Sequence, residues 1–271
     1  MTISLLSRFE IAFEEDVYVG RLRGAHGEIV MNAGYDAVQV VALAEGRIDR
    51  SIPFPNSDDG FAIETWLVAP DGSKSWLFGR EPLGYAYEVD HARDAIEVLA
   101  LPDGFDAPTG LCWFAPGLNM RDHRGRNWAL RDGKVAPMGD PALPEAMRTA
   151  LRLERPTEAL GVLRMSHEHG GMYVLNGSSI GFVSTVGAAT LLAPHEDRYM
   201  DVALYRGELL LCARDSVAHA AEGRAVALLD ATEGESFLAI DSVTIAGQSC
   251  LLCLSARLDG SGSVLRAYSL N

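Results

Sequence analysis

The segment Gly177-Ser178-Ser179-Ile180-Gly181 has the Gly-x-Ser-x-Gly pattern that carries the nucleophile of many serine hydrolases. In those enzymes the serine stands on a sharp turn between a strand and a helix. Here Asn176-Gly177, a pair favoured in two-residue hairpin turns, separates apolar segments at 172–175 and 180–183. The sequence therefore predicts a β-hairpin at this position in preference to a catalytic turn, and it assigns no catalytic residue.

A second cluster of reactive side chains contains histidines. His167 and His169 would lie on one face of an extended segment, because side chains alternate along a strand. A metal there would need further ligands, for which His195, Glu196 and Asp197 are the nearest candidates in sequence. No complete zinc-ligand spacing is present, and polar loops between strands explain both clusters. We therefore predict no metal site, with His167, His169 and His195 as the alternative set of ligands.

The pair Cys250-Leu-Leu-Cys253 has the Cys-x-x-Cys spacing of redox sites. Redox pairs stand at a helix N-terminus, where the helix dipole lowers the thiol pKa. This pair lies within an apolar segment at 249–255 that has the pattern of a strand, so its two thiols should face opposite sides. We expect both cysteines to pack in the core, as suits a protein of the reducing cytoplasm.

Arg121, His123, Arg124, Arg126 and Trp128 form a basic, aromatic stretch in an otherwise acidic chain. Guanidinium groups bind carboxylates and phosphates through paired hydrogen bonds, so this stretch is our candidate site for a ligand or a partner. The same arginines could instead pair with the chain's own aspartates and glutamates. The sequence leaves both interpretations open.

The charge balance narrows the classes of partner. The chain has 23 basic and 37 acidic residues among 271, a formal net charge of -14, with a pI near 4.9. Such a charge argues against binding to a nucleic acid backbone and favours a basic protein partner. The sequence contains neither a phosphate-binding Gly-x-x-x-x-Gly-Lys-Ser/Thr loop nor a Gly-x-Gly-x-x-Gly that follows a strand, so we expect no nucleotide cofactor.

We also expect no membrane association. The segment 1–15 lacks the basic and apolar regions of a secretory signal. The uncharged segment 170–194 is long enough to span a bilayer, but it is rich in glycine, serine and threonine, which suits buried strands better than a lipid-facing helix.

Short apolar segments separated by turn sequences, such as Pro70-Asp71-Gly72 and Arg131-Asp132-Gly133, dominate the rest of the chain. Only 144–154, which opens at Pro144, reads as a helix. No linker divides the sequence. We therefore predict one all-β domain over residues 1–271 with a single helical excursion.

Groups of strands recur along the chain at intervals of about 40 to 45 residues, a spacing typical of propeller blades. The order of segments at 17–22, 28–31 and 37–43 is repeated at 202–205, 208–212 and 225–229. In this respect the chain resembles β-propellers of the general WD40-like or YVTN-like kind, although it has no Trp-Asp or Gly-His blade signature. The resemblance implies about six four-stranded blades, the last of which is completed by the N-terminal strand. A β-sandwich or a large barrel would also fit the strand spacing.

A propeller with an acidic surface and no complete catalytic set is expected to bind a protein partner without catalysis. An inhibitor or immunity protein that covers a basic toxin, or an assembly scaffold, would have these properties. Two alternatives stay open, since a fold does not define a function: a metal-assisted hydrolase or lactonase with its site at the central end of the propeller, and a binder of a small anionic ligand.

Overall fold

The computed structural model describes residues 5–14, 17–23, 28–33, 36–55, 62–68, 73–81, 86–106, 108–114, 117–122, 124, 126–139, 161–166, 171–176, 179–184, 189–194, 199–221 and 224–270. All regular elements within these ranges are β-strands, which confirms the prediction of an all-β protein. The predicted helix at 144–154 lies outside the described residues.

Contacts within the chain define two compact units. Unit 1 contains Met1–Phe54 and Arg198–Asn271. Its strands are β1 (Leu5–Phe13), β2 (Val17–Arg23), β3 (Glu28–Ala33), β4 (Ala37–Ala42), β5 (Arg47–Pro53), β18 (Tyr199–Tyr205), β19 (Glu208–Ala213), β20 (Ser216–Ala221), β21 (Arg224–Asp230), β22 (Glu235–Ile245), β23 (Gln248–Arg257) and β24 (Ser263–Leu270).

Unit 2 contains Pro55–Asp197. Its strands are β6 (Ala62–Val68), β7 (Lys74–Glu81), β8 (Ala86–Asp90), β9 (Ala95–Val98), β10 (Pro108–Phe114), β11 (Gly117–Asp122), β12 (Asn127–Arg131), β13 (Lys134–Met138), β14 (Gly161–Ser166), β15 (Gly171–Asn176), β16 (Ser179–Ser184) and β17 (Ala189–Pro194).

The described strands form six antiparallel sheets of four strands each. Five sheets take four consecutive strands in chain order: β2–β5, β6–β9, β10–β13, β14–β17 and β18–β21. The sixth, which we call the closing sheet, has the order β1-β24-β23-β22, so its outer strand comes from the other end of the chain. Consecutive hairpins therefore build five sheets, and only the closing sheet needs both termini.

The six sheets share a local irregularity. In each one, the first of the consecutive strands (β2, β6, β10, β14, β18 or β22) shifts register against the strand that follows it within its first four residues, which leaves one of its residues without a pairing partner. These residues are Gly20, Glu64, Thr109, Leu163, Met200 and Leu238. A β-bulge bends a strand and increases its twist. Its recurrence in the corresponding strand of all six described sheets marks them as copies of one structural unit.

Both faces of β23 are buried, which explains its unbroken apolar sequence. Cys250, Leu252 and Leu254 belong to a cluster that also contains Val41 and Leu43, beside the β2–β5 sheet. The residues between them, Leu251 and Cys253, belong to a second cluster with side chains of the β18–β21 sheet. The predicted opposite orientation of the two cysteines is confirmed. Both are free, and burial raises the pKa of the Cys253 thiol far above its ordinary value.

An ion-pair network joins three strands of the closing sheet. Arg266 on β24 donates from Nη2 to Glu235 Oε1 of β22 at 2.8 Å, and from Nη1 to the other oxygen of that carboxylate. Its Nε donates to Glu10 Oε2 on β1 at 2.8 Å. The side chains of Arg266 and Glu235 are only 13% and 9% exposed, so each charge depends on the other for compensation.

The turn between β23 and β24 also contacts the N-terminal strand. Gly262 has a φ of +114°, and a Cβ there would overlap the carbonyl oxygen of Phe13 at the end of β1. Only glycine fits both the backbone conformation and the space.

Replacing Arg266 with methionine should therefore lower the free energy of unfolding by about 3 kcal/mol, because it leaves the buried Glu235 carboxylate without a partner. Glu10→Gln removes the other ion pair, but the Glu10 side chain is 53% exposed, and the expected loss is below about 1 kcal/mol. Urea unfolding measures both. Equal losses in the two variants would contradict this account of the closing sheet.

Candidate functional site

The predicted basic stretch begins at the end of β11, where a buried carboxylate organises the turn into β12. The Asp122 side chain is fully buried. Its Oδ1 accepts hydrogen bonds from the backbone N–H groups of Arg124 and Arg126, both at 2.9 Å. Its Oδ2 accepts from Arg126 Nε at 2.8 Å and from Trp128 Nε1 at 2.9 Å. One carboxylate thus fixes both the backbone and two side chains of the turn.

Two opposing effects act on the Asp122 carboxyl. Burial raises its pKa, whereas the hydrogen bonds from Trp128, Arg126 and Arg124 lower it. The hydrogen bonds prevail, and the pKa of Asp122 lies below its ordinary value of 3.8. The group is therefore a permanent anion at neutral pH, and it compensates the charge of Arg126.

Arg126 and Trp128 make further contacts beside this turn. The Arg126 guanidinium lies 5.4 Å from the centre of the Trp128 ring and also donates to the carbonyl oxygen of Gly104. Trp128 packs edge-on against Phe105, with ring centres 5.2 Å apart. These contacts join the turn to the preceding loop at 99–106.

The other predicted residues of the stretch have different environments. Arg124 has a side chain that is 68% exposed, with Nε 3.2 Å from Asp106 Oδ2. Arg121 lies on β11 opposite Gly110 and Asn127, and His123 lies outside the described residues. The structure brings Arg124, Arg126 and Trp128 together around Asp122, and Arg124, at 68% against 40% for Arg126, is the most exposed of them.

Asp122 is the residue that sequence reasoning missed, although it lies inside the predicted stretch. The signal that the sequence offered was an aspartate three positions before Gly125, a spacing common in turns, with a tryptophan six positions after the aspartate. Short polar side chains at such positions bind nearby backbone groups.

The Gly-x-Ser-x-Gly segment forms the predicted hairpin. Asn176 at the end of β15 pairs with Ser179 at the start of β16, so a strand follows the turn where a hydrolase would require a helix. The alternative metal ligands His167, His169 and His195 lie outside the described residues. Among the residues that are described, no group of three or more His, Cys, Asp or Glu side chains could hold a metal ion. The described part of the chain also has no helix long and apolar enough to cross a membrane.

Three neighbouring turns of unit 1 present a second exposed site, which we call the acidic turn surface. It consists of Leu258 and the exposed carboxylates Asp215, Glu233 and Asp259. Leu258 is 70% exposed, more than any other large apolar side chain in the described residues. Hydrogen bonds from Ser261 lower the pKa of Asp259, which keeps this carboxyl ionised.

Backbone hydrogen bonds hold these turns together. The Ala231 N–H donates to the carbonyl oxygen of Asp215 at 2.8 Å. The Leu258 N–H donates to the carbonyl oxygen of Gly234, also at 2.8 Å. Within the last turn the Ser261 N–H donates to Asp259 Oδ1 at 2.9 Å. The exposed leucine therefore stands in a fixed position beside the carboxylates.

Comparison with known proteins identifies the fold. No family model and no curated protein matches the sequence. The β-propeller domain of Cps50 (Swd1) from Myceliophteria thermophila is similar in structure, with a TM-score of 0.58 and 11% identity over 99% of this chain and 100% of that domain. A structural genomics protein of unknown function from Bacteroides thetaiotaomicron has a TM-score of 0.53 and 9% identity, over 99% of this chain and 72% of that one. The chain thus has a β-propeller fold, as its repeats predicted, and these identities show the fold alone.

Substituting Asp122 with asparagine should lower the free energy of unfolding by about 2 kcal/mol, because each carboxylate oxygen accepts two hydrogen bonds and the amide replaces one of these oxygens with an NH2 group that cannot accept. The stabilisation from the carboxylate is present above pH 3.8 and is lost as the pH falls through the lower pKa of the folded state. Asp122→Asn should remove this part of the acid dependence in unfolding experiments between pH 2 and 7.

The matched control is Asp132→Asn in the following turn, where the side chain is exposed and the φ of 50° suits asparagine. It should change stability by less than about 0.5 kcal/mol. If Asp122→Asn were equally neutral, the carboxylate would not organise the turn.

Proposed function

We propose that the chain is a non-catalytic binding protein and that its six sheets are the blades of one β-propeller over residues 1–271. The four-stranded sheets, their shared bulge and the match along the whole propeller domain of Cps50 support this architecture. In this proposal the β1 strand completes the last blade through its pairing with β24. The turns that join the strands then supply the binding surface.

The acidic turn surface carries the functional part of the proposal. Exposed leucine side chains are common on protein surfaces, but Leu258 combines 70% exposure with a turn that backbone hydrogen bonds hold rigid. Protein interfaces concentrate binding energy in a few central side chains surrounded by a polar rim. A preformed turn also loses little conformational entropy on binding. Leu258 fits the role of the central contact, and Asp215, Glu233 and Asp259 fit the rim.

The charges of this surface define the partner that we propose. The rim carboxylates and the net charge of -14 would attract a basic protein and accelerate its association. A cytoplasmic inhibitor or immunity protein that covers a basic toxin or nuclease domain would work in this way. A scaffold that holds a basic component of an assembly would use the same chemistry.

The Asp122 turn is a second contact region in this proposal. Arg126 and Trp128 serve to hold the turn, since Asp122 binds both. Arg124 is 68% exposed, and in this proposal its guanidinium would bind an acidic group of the partner as well as its own ion-pair partner Asp106. Arg121 and His123 flank it in sequence. This division of roles favours a protein contact over a pocket for a small anion. The Arg126 guanidinium, which lies beside the Trp128 ring, already binds the Asp122 carboxylate.

Cross-linking in source cells followed by affinity purification would identify the partner, which would then be purified and measured by calorimetry. We expect one-to-one binding that weakens with salt. Leu258→Ala and a Glu233→Lys, Asp259→Lys double variant should each weaken binding by about tenfold or more. Val98→Ala, which removes a 49% exposed side chain from β9, is the matched control and should leave affinity unchanged.

Recovery of no stoichiometric partner at low and at moderate salt would count against a binding protein of this kind. A partner whose affinity is the same for Leu258→Ala and wild type would retain the function but reject the acidic turn surface as its site.

A further inference from the structure

The strand β21 is the outer strand of its sheet, and its sequence lacks the usual protection of a sheet edge. Between Arg224 and Asp230 it contains only alanine, valine and leucine. Ala225, Val226 and Ala227 are exposed, and Val226 has 57% of its surface open to solvent. An outer strand of this kind offers unpaired backbone groups and apolar side chains to another strand.

The other outer strands carry features that oppose such pairing. Charges, prolines or a short length interrupt them: Arg8 and Glu10 in β1, Arg47, Asp49 and Arg50 in β5, four residues only in β9, Pro137 in β13, and Pro194 at the end of β17. Natural sheets use these devices to keep edges from pairing. Among the described outer strands, β21 is therefore the one suited to accept a partner strand.

We propose that β21 pairs antiparallel with β21 of a second copy of this chain to form a two-fold symmetric dimer. In an antiparallel pair of identical strands, the first residue of each strand lies beside the last residue of the other. Pairing centred on Ala227 would bring Arg224 opposite Asp230 of the second copy at both ends. It would also bring Val226 opposite Leu228, an apolar pair of the kind that stabilises sheets.

The charges at the two ends of β21 favour a second copy of this chain, in the antiparallel direction, as the partner of this edge. A strand with a cation at its start and an anion at its end complements itself in the antiparallel direction and repels itself in the parallel direction. A foreign strand would need the same arrangement of charges, whereas a second copy always has it. The contact is isologous, so each copy uses the same surface and the assembly closes at two subunits.

A β-bulge interrupts the pairing of β21 with its neighbour β20 and lies next to the symmetry axis of the proposed dimer. The register of β20 and β21 shifts between Val217 and Ala218, which leaves Leu228 as a bulge. Residues 224–227 before the bulge pair regularly with β20. The two bulges of the dimer would flank the symmetry axis and give both strands the same added twist.

Light scattering after size exclusion, from about 1 to 100 µM protein, tests the dimer because association depends on subunit concentration. Wild type should approach twice the subunit mass of 29.2 kDa at the upper end. Val226→Lys places a charge on the paired edge and should raise the dissociation constant at least about tenfold. Val98→Lys is the matched control, an exposed valine on an outer strand that the dimer does not use, and should stay dimeric.

Exchanging the charges of Arg224 and Asp230 tests whether the partner strand is a second β21 and whether it pairs in the antiparallel direction. Arg224→Asp and Asp230→Arg should each weaken the dimer, since each sets like charges opposite one another. The double variant Arg224→Asp, Asp230→Arg should restore it. Circular dichroism and thermal unfolding identify any variant that fails to fold, in which case Ala225→Lys replaces Val226→Lys.

A wild type that stays monomeric at about 100 µM overturns the proposal, because edge pairing strong enough to matter would be visible there. A dimer that persists in Val226→Lys, or that is lost equally in Val98→Lys, places the contact elsewhere. None of these results depends on the proposed binding partner, so the dimer and the acidic turn surface can fail separately.

Discussion

The structure depends on one constraint, which is that a four-stranded sheet with two apolar faces cannot stand alone. In β23 successive side chains alternate between two buried clusters, one shared with the β2–β5 sheet and the other with the β18–β21 sheet. Every methylene so buried contributes to stability only while both neighbouring sheets are in place. The closing sheet takes its outer strand from the N-terminus and its other strands from the C-terminus, so its formation requires the two chain ends to meet. This long-range pairing is entropically costly, which explains why Arg266 and Gly262 reinforce it.

The charged side chains fall into two groups, those buried among the packed sheets and those exposed on turns. Arg266 and Asp122 carry buried or nearly buried charges, and each is compensated by several hydrogen bonds. Such groups hold strands and turns in place and have no capacity left for a ligand. Exposed carboxylates such as Glu233 and Asp259 lie on turns, where their side chains face the solvent. The proposed binding surface therefore lies in the turns, and the strands support it.

The sequence predicts the parts of this fold that depend on local patterns. The Asn-Gly turn before Ser179 and the unbroken apolar run around Cys253 specify a hairpin and a strand buried on both sides, because turn chemistry and alternation act over a few residues. The strands β11 and β13 have no comparable local pattern. β11 has no clear alternation and β13 contains Pro137, and both depend on their neighbours to become strands. The environment of Arg126 was equally out of reach, since it is fixed by the carboxylate of Asp122 and by a carbonyl 22 positions away.

The high negative charge and the unprotected edge of β21 are compatible because they act over different distances. At -14 per chain, molecules repel one another before any strand can pair, which suppresses indiscriminate association. Salt screens that repulsion beyond about 8 to 10 Å, whereas the proposed edge pairing, with Arg224 of one copy opposite Asp230 of the other, would act at much shorter range. A molecule with a high net charge can therefore keep one apolar sheet edge, provided that the edge binds a single partner and that this binding leaves no further edge exposed. An antiparallel pair of identical strands meets both conditions, since it uses the edge of each copy and leaves none free to extend the chain of contacts.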